Sequence, residues 1–183
     1  LLDRIGNELK LLWALLDAYQ ELFLIEKDKR TKLLAGTAPG FFSVVQVALI
    51  ESIFMRIFRL MDAGDISGNA NCSFEALRKL IGKKPIAQRR EAKIFRLRLC
   101  LRQLRKDWRA GGRYSNLKKI RNKNLAHNDY THHTSRDTGQ LWMCISASDF
   151  EDARLLGGRL WALYRQATLV ICLMDVIEPV SAR

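Results

Sequence analysis

The run Arg121-Asn122-Lys123-Asn124-Leu125-Ala126-His127-Asn128-Asp129 brings a guanidinium, an amide and an imidazole into one short stretch of chain. Those groups suffice to break a ribose phosphodiester without a metal. A neutral imidazole can take the proton of a 2′-hydroxyl, which then attacks its own phosphate, and His127 is the candidate base. The phosphate gains negative charge on the way, and a planar, permanently charged guanidinium offers it paired donors; Arg121 is the candidate for that task. Neighbouring cations would depress the imidazole pKa and keep the ring neutral at working pH. The competing reading makes His127 a polar residue at a helix end, favoured there by the helix dipole.

Other chemistries lack their parts. His127, His132 and His133 are the only histidines; they lack carboxylates and cysteines at ligand spacing, and adjacent ring side chains diverge, so no metal is expected. No glycine-flanked nucleophile turn and no glycine-rich phosphate loop is present, so no cofactor is expected either. Cys72, Cys100, Cys144 and Cys172 stand far apart and read as small hydrophobes in a reducing cytoplasm. His132 and His133 fall in a threonine-containing loop, as secondary candidates for substrate contact.

Charge singles out the surroundings of the motif. Residues 78–123 carry 18 Lys and Arg against Glu91 and Asp107, a net +16, whereas the rest of the chain has 13 basic and 17 acidic residues, a net −4. A near-neutral body with one basic segment is the footprint of a protein that meets a polyanion, RNA or DNA first and an anionic membrane second. The competing reading is a solvated face, or one paired with acids such as Glu21, Glu26, Asp149 and Asp152.

The elements that must hold these residues are helical. Ile5, Leu9, Leu12, Leu16, Tyr19 and Phe23 recur at steps of three and four, the apolar stripe of a long helix over about 2–30, and Pro39 punctuates its end. Residues 41–61 are apolar almost all round, which predicts a buried central helix with a polar stripe of Ser52, Arg56 and Arg59. The two arginines are a secondary candidate site for an anion, or pair with acids such as Glu51 or Asp62. Residues 62–73 read as a loop into a short helix at 74–81 capped by Ser73. A third long helix over 86–108 buries Ile94, Leu97, Leu101, Leu104 and Trp108, with a ridge of Arg98, Arg102, Arg105 and Arg109 beside that stripe as a guide for an RNA backbone. Gly111 and Gly112 end it, and Ser115 can cap a short helix through Lys118, Lys119 and Ile120 into the segment ending at His127, with Lys118, Lys119 and Lys123 as further RNA-binding candidates. Residues 128–140 read as a polar loop, and 141–145 reads as one isolated short strand. Ser148 and Glu151 form a capping box for a last helix with Ala153, Leu156, Leu160, Leu163, Ala167, Val170, Met174 and Ile177 as its stripe.

The expectation is therefore an all-α bundle of about four long helices plus short ones. It forms a single domain over 1–183 with a loop and short-helix insertion near 62–84. At 183 residues with 48% hydrophobic and 27% charged positions, the chain can bury its own core and is not disordered. Its longest apolar run, 44–58, is interrupted at Gln46, Glu51, Ser52 and Arg56, short of the roughly 18 to 20 apolar residues that span a bilayer. No secretion signal is visible at the amino end, so a cytoplasmic location with no membrane partner is expected.

Arg121-Asn122, the spaced His127 and the buried second helix ending Arg59-Leu60-Met61-Asp62 resemble the HEPN domains, and within them the U-type abortive-infection branch. That resemblance implies a metal-independent endoribonuclease acting in prokaryotic defence or as a toxin. Its site would be composite, Arg121 and His127 of two subunits meeting at a homodimer interface, with Asn122 orienting either group and an antitoxin protein as a further partner. Spacing bears on this: residues six apart on a straight helix are rotated by about 240°. Convergence of Arg121 and His127 needs a bend or an end near Leu125, or a second subunit. Two other functions stay open, a non-catalytic RNA- or nucleotide-binding module and a structural helical interaction protein.

Overall fold

The computed structural model describes residues 1–24, 27–62, 72–83, 91–126 and 146–175. Side chains are described throughout these except at 27, 28, 31, 35, 82, 83, 91, 121–126, 147 and 172–175. The described residues form seven α-helices and no strand: α1 Leu2–Tyr19, α2 Lys27–Thr37, α3 Pro39–Met61, α4 Phe74–Lys83, α5 Glu91–Trp108, α6 Ser115–Ala126 and α7 Ala147–Asp175. Four are long, as the periodicity predicts, and three are short, one more than the two short helices read from the sequence. The strand expected at 141–145 lies outside the described residues.

The first apolar stripe does what its spacing requires. Ile5, Leu9, Leu12, Leu16 and Tyr19 are buried, and α1 packs against both α3 and α7. The approach of α1 to α7 is close: a Cβ on Gly6 would lie 2.5 Å from the Tyr164 hydroxyl. The predicted single helix over 2–30 is not continuous, however. A π-turn, Gln20–Leu24, succeeds α1, its wider turn adding a residue and rotating the chain that leads to α2. Five of the first six residues of α2 are charged and Leu33 after them is exposed, so its described side chains form no buried stripe. Instead Arg30 pairs with the Glu21 carboxylate and donates to the Glu21 carbonyl.

The core is finished by the other helices. Ile50, Ile53, Phe54, Ile57, Phe58 and Leu60 of α3 are buried. So are Phe74, Leu77 and Ile81 of α4, and Ile94, Leu97, Leu101, Leu104 and Trp108 of α5. The α7 stripe from Ala153 to Val170 is buried with them. The prediction of a wholly buried α3 is corrected: its buried residues fall in the second half, while Phe41 and Val44 in the first are 64% and 68% exposed. The first half still meets α1 at one point, where Gln46 donates to the Tyr19 hydroxyl at 3.3 Å. Among the described residues, α3 is also the one helix long and apolar enough by length and composition to cross a bilayer, so its polar interruptions do not bring it below that mark.

Two caps show how local chemistry sets the boundaries. Ser73 accepts the Ala76 amide at 3.3 Å at the start of α4, as predicted. The capping box of α7 is Ser146 with Asp149, not Ser148 with Glu151: the Asp149 amide donates to Ser146 Oγ (3.1 Å) and the Ser146 amide donates to Asp149 Oδ2 (3.0 Å). Phe150, inside the helix whichever serine caps it, packs against Tyr19, ring centroids 4.6 Å apart.

Candidate nucleic-acid interface

The described part of the basic segment is carried by α4, α5, the turn after it and α6. Three of its cations are held by other groups, as is Arg159 of α7. Arg98 points inward along the bundle and donates to the Ile81 carbonyl at 2.8 Å, closing the end of α4. Arg105 lies 3.4 Å from Glu75 Oε1, and Arg78 holds both oxygens of that carboxylate in a two-pronged pair at 2.6 and 2.8 Å. The Arg78 hydrogen bond holds the Glu75 carboxyl below the usual carboxylate range, against the opposing effect of burial, with Arg105 and Lys79 adding to it. Arg159 of α7 pairs with Asp107; burial works against its charge, but hydrogen bonds to Asp107 and Tyr114 outweigh that and raise its pKa.

The predicted arginine ridge therefore divides. Arg102 and Arg109 are exposed, while Arg98 and Arg105 fasten α5 to α4. A rotation of about 100° per residue explains it: Arg102 stands about 40–60° further from the core stripe than Arg98 and Arg105. Residues the sequence reading passed over share the open side: Phe95, Arg96, Leu99 and Lys106 are exposed on α5. Their signal was present, since Phe95 and Leu99 are four residues apart and out of phase with the buried stripe.

The turn joining α5 to α6 is tight. Gly111 has φ +78°, a conformation that favours glycine. A Cβ on Gly112 would lie 2.5 Å from the carbonyl oxygens of Lys106 and Asp107. The Tyr114 amide donates to the Asp107 carbonyl at 2.8 Å, and the Tyr114 ring is buried. Ser115 is the first residue of α6 rather than its cap, and the Lys118 amide bonds the Tyr114 carbonyl. With Leu117 buried and Ile120 packed against the core, α6 is anchored along one side; Lys119 is exposed and Lys118 half-buried.

Arg121, Asn122 and Lys123 stand in the second half of α6, which continues without a break to Ala126; their side chains lie outside what is described. His127, His132 and His133 also lie outside the described residues. Among the described residues no His, Cys, Asp or Glu side chains gather as a three-ligand metal set.

The secondary arginines are resolved differently from the expectation. Arg56 pairs with Glu8 of α1 at 2.6 Å, not with Glu51 or Asp62, so it ties α3 to α1; Arg59 is exposed. A cavity of about 40 Å³ among Met61, Phe74, Glu75, Leu101, Leu104, Arg105 and Trp108 has room for water but not for a nucleotide.

The model of the AbiU2 family of HEPN domains matches residues 1–139, and the chain belongs to that family. It is thus an abortive-infection-related HEPN module. No curated protein and no solved structure matches it. The matched stretch includes Arg121, Asn122 and His127 and stops before α7, yet α7 shares the core of α1 and α5.

Proposed function

We propose that the chain is a metal-independent endoribonuclease acting in prokaryotic defence or as a toxin, one domain over 1–183 that works as a homodimer. His127 is the base toward the ribose 2′-hydroxyl, Arg121 stabilises the charged phosphate, and Asn122 orients either group. The observation behind the composite site is that α6 runs unbroken past Arg121 to Ala126. No bend lies within it, which leaves its end beside Leu125 or a second subunit to bring Arg121 and His127 together, and we assign that role to the second subunit. Membership in the AbiU2 family supports action on RNA, and the +16 of residues 78–123 supports binding of its backbone.

Arg121→Ala and His127→Ala are each expected to lower RNA cleavage by roughly 10²- to 10⁴-fold, with the helical fold and RNA affinity kept and no response to a chelator. Mixing the two inactive variants restores cleavage, because one mixed dimer interface then holds both intact groups. Full activity in either variant, or RNA binding without any cleavage by the unaltered chain, overturns the proposal.

A further inference from the structure

We infer that the outward face of α5 binds unpaired RNA, Phe95 serving as a stacking surface for a base and Arg96, Arg102 and Lys106 as contacts to the flanking phosphates. Phe95, Leu99, Arg102 and Lys106 succeed one another at steps of four, three and four, so they form one row along the helix. That row spans about 16 Å at 1.5 Å per residue, the reach of a few nucleotides. Ile94, Leu97, Leu101, Leu104 and Trp108 lie buried on the other side, so the core makes no demand on the row. Phe95 is 65% and Leu99 56% exposed, and Arg96, Arg102 and Lys106 beside them are exposed too.

The charge names the occupant. No acid among the described residues engages these three cations, and Asp107, the described acid of α5, is committed to Arg159 and to Gln103 Nε2 at 2.9 Å. A flat aromatic face framed by unpaired cations is the arrangement that holds single strands, in which base faces are open; a duplex hides them. A second copy of the same basic face would be repelled. A bilayer needs a broad apolar face, and α5 has spent its own on the core.

The inference rests on the proposed action on RNA, and its test separates the two. Anisotropy of a short uridine homopolymer carrying 2′-O-methyl groups, which cannot be cleaved through the 2′-oxygen, reports binding by the full chain, with a blunt RNA duplex as comparison. Phe95→Ala is expected to weaken the single strand roughly five- to hundredfold and the duplex little. Phe95→Trp retains binding, and Arg102→Gln lowers the salt slope by about 0.7. Wild-type affinity in Phe95→Ala, an equal loss on both RNAs, or a change only in sedimentation or in anionic-vesicle binding overturns the inference while leaving cleavage at His127 untouched. A chain that neither binds nor cleaves RNA overturns both.

Discussion

Helices α3 and α5 both bury one side in the same core and both leave an aromatic outside, yet the two outer surfaces differ in kind. On α3, Phe41 and Val44 stand exposed in a stretch without a charge between Pro39 and Ile50. On α5, Phe95 and Leu99 stand exposed among Arg96, Arg102 and Lys106. Exposed apolar area is therefore not one signal. Surrounded by cations it suits a base and its phosphates, whereas the uncharged first half of α3 offers a polyanion no cation.

The contrast between buried and exposed ends is sharpest within α3. Phe54→Ala removes a ring closed into the core and is expected to cost about 3–5 kcal/mol in chemical denaturation, while Phe41→Ala stays within about 0.5 kcal/mol; equal losses would show that the first half of α3 is covered in solution. On α5 the same comparison runs between charges. Asp107→Asn breaks the pair with Arg159, part of which faces solvent, and is expected to cost about 1–2 kcal/mol. Arg102→Gln, on the open side, leaves the melting curve unchanged. A smaller effect than that of Asp107, and a pH-dependent one, belongs to Glu75, which joins Arg105 of α5 to α4. Its folded-state pKa is lowered from 4.5, so its contribution is complete above that value and fades as pH falls through the folded pKa. Glu75→Gln should flatten that part of the acid-denaturation curve and leave neutral stability only slightly reduced.

Much of this architecture could be read directly from residue order. The apolar stripes of α1, α5 and α7 are buried at the positions that a 3.6-residue period selects, because a helix hides one face whatever its neighbours are. Ser73 was legible as a cap because its hydrogen bond is local. Where two local signals competed, as at Ser146 and Ser148, residue order did not choose between them, and the hydrogen bonds of Ser146 with Asp149 show which serine caps α7. The arginine ridge was legible as a ridge but not as a division of labour. Arg98 and Arg105 sit at the edge of the buried stripe, where a carbonyl of Ile81 or a carboxylate of Glu75 can claim them, and only packing of α4 supplies those partners. The catalytic candidates were legible as types: Arg121, Asn122 and His127 are set by sequence, and membership in the AbiU2 family gives them their context.

Residue order alone determined that the chain is all helical, which faces turn inward, and that its basic charge is concentrated between residues 78 and 123, since period and composition are local properties. Tertiary structure alone decided which cations remain open to a ligand and which half of α3 is covered. A guanidinium within reach of a carboxylate on another helix is spent there, and that reach is set by how the helices pack.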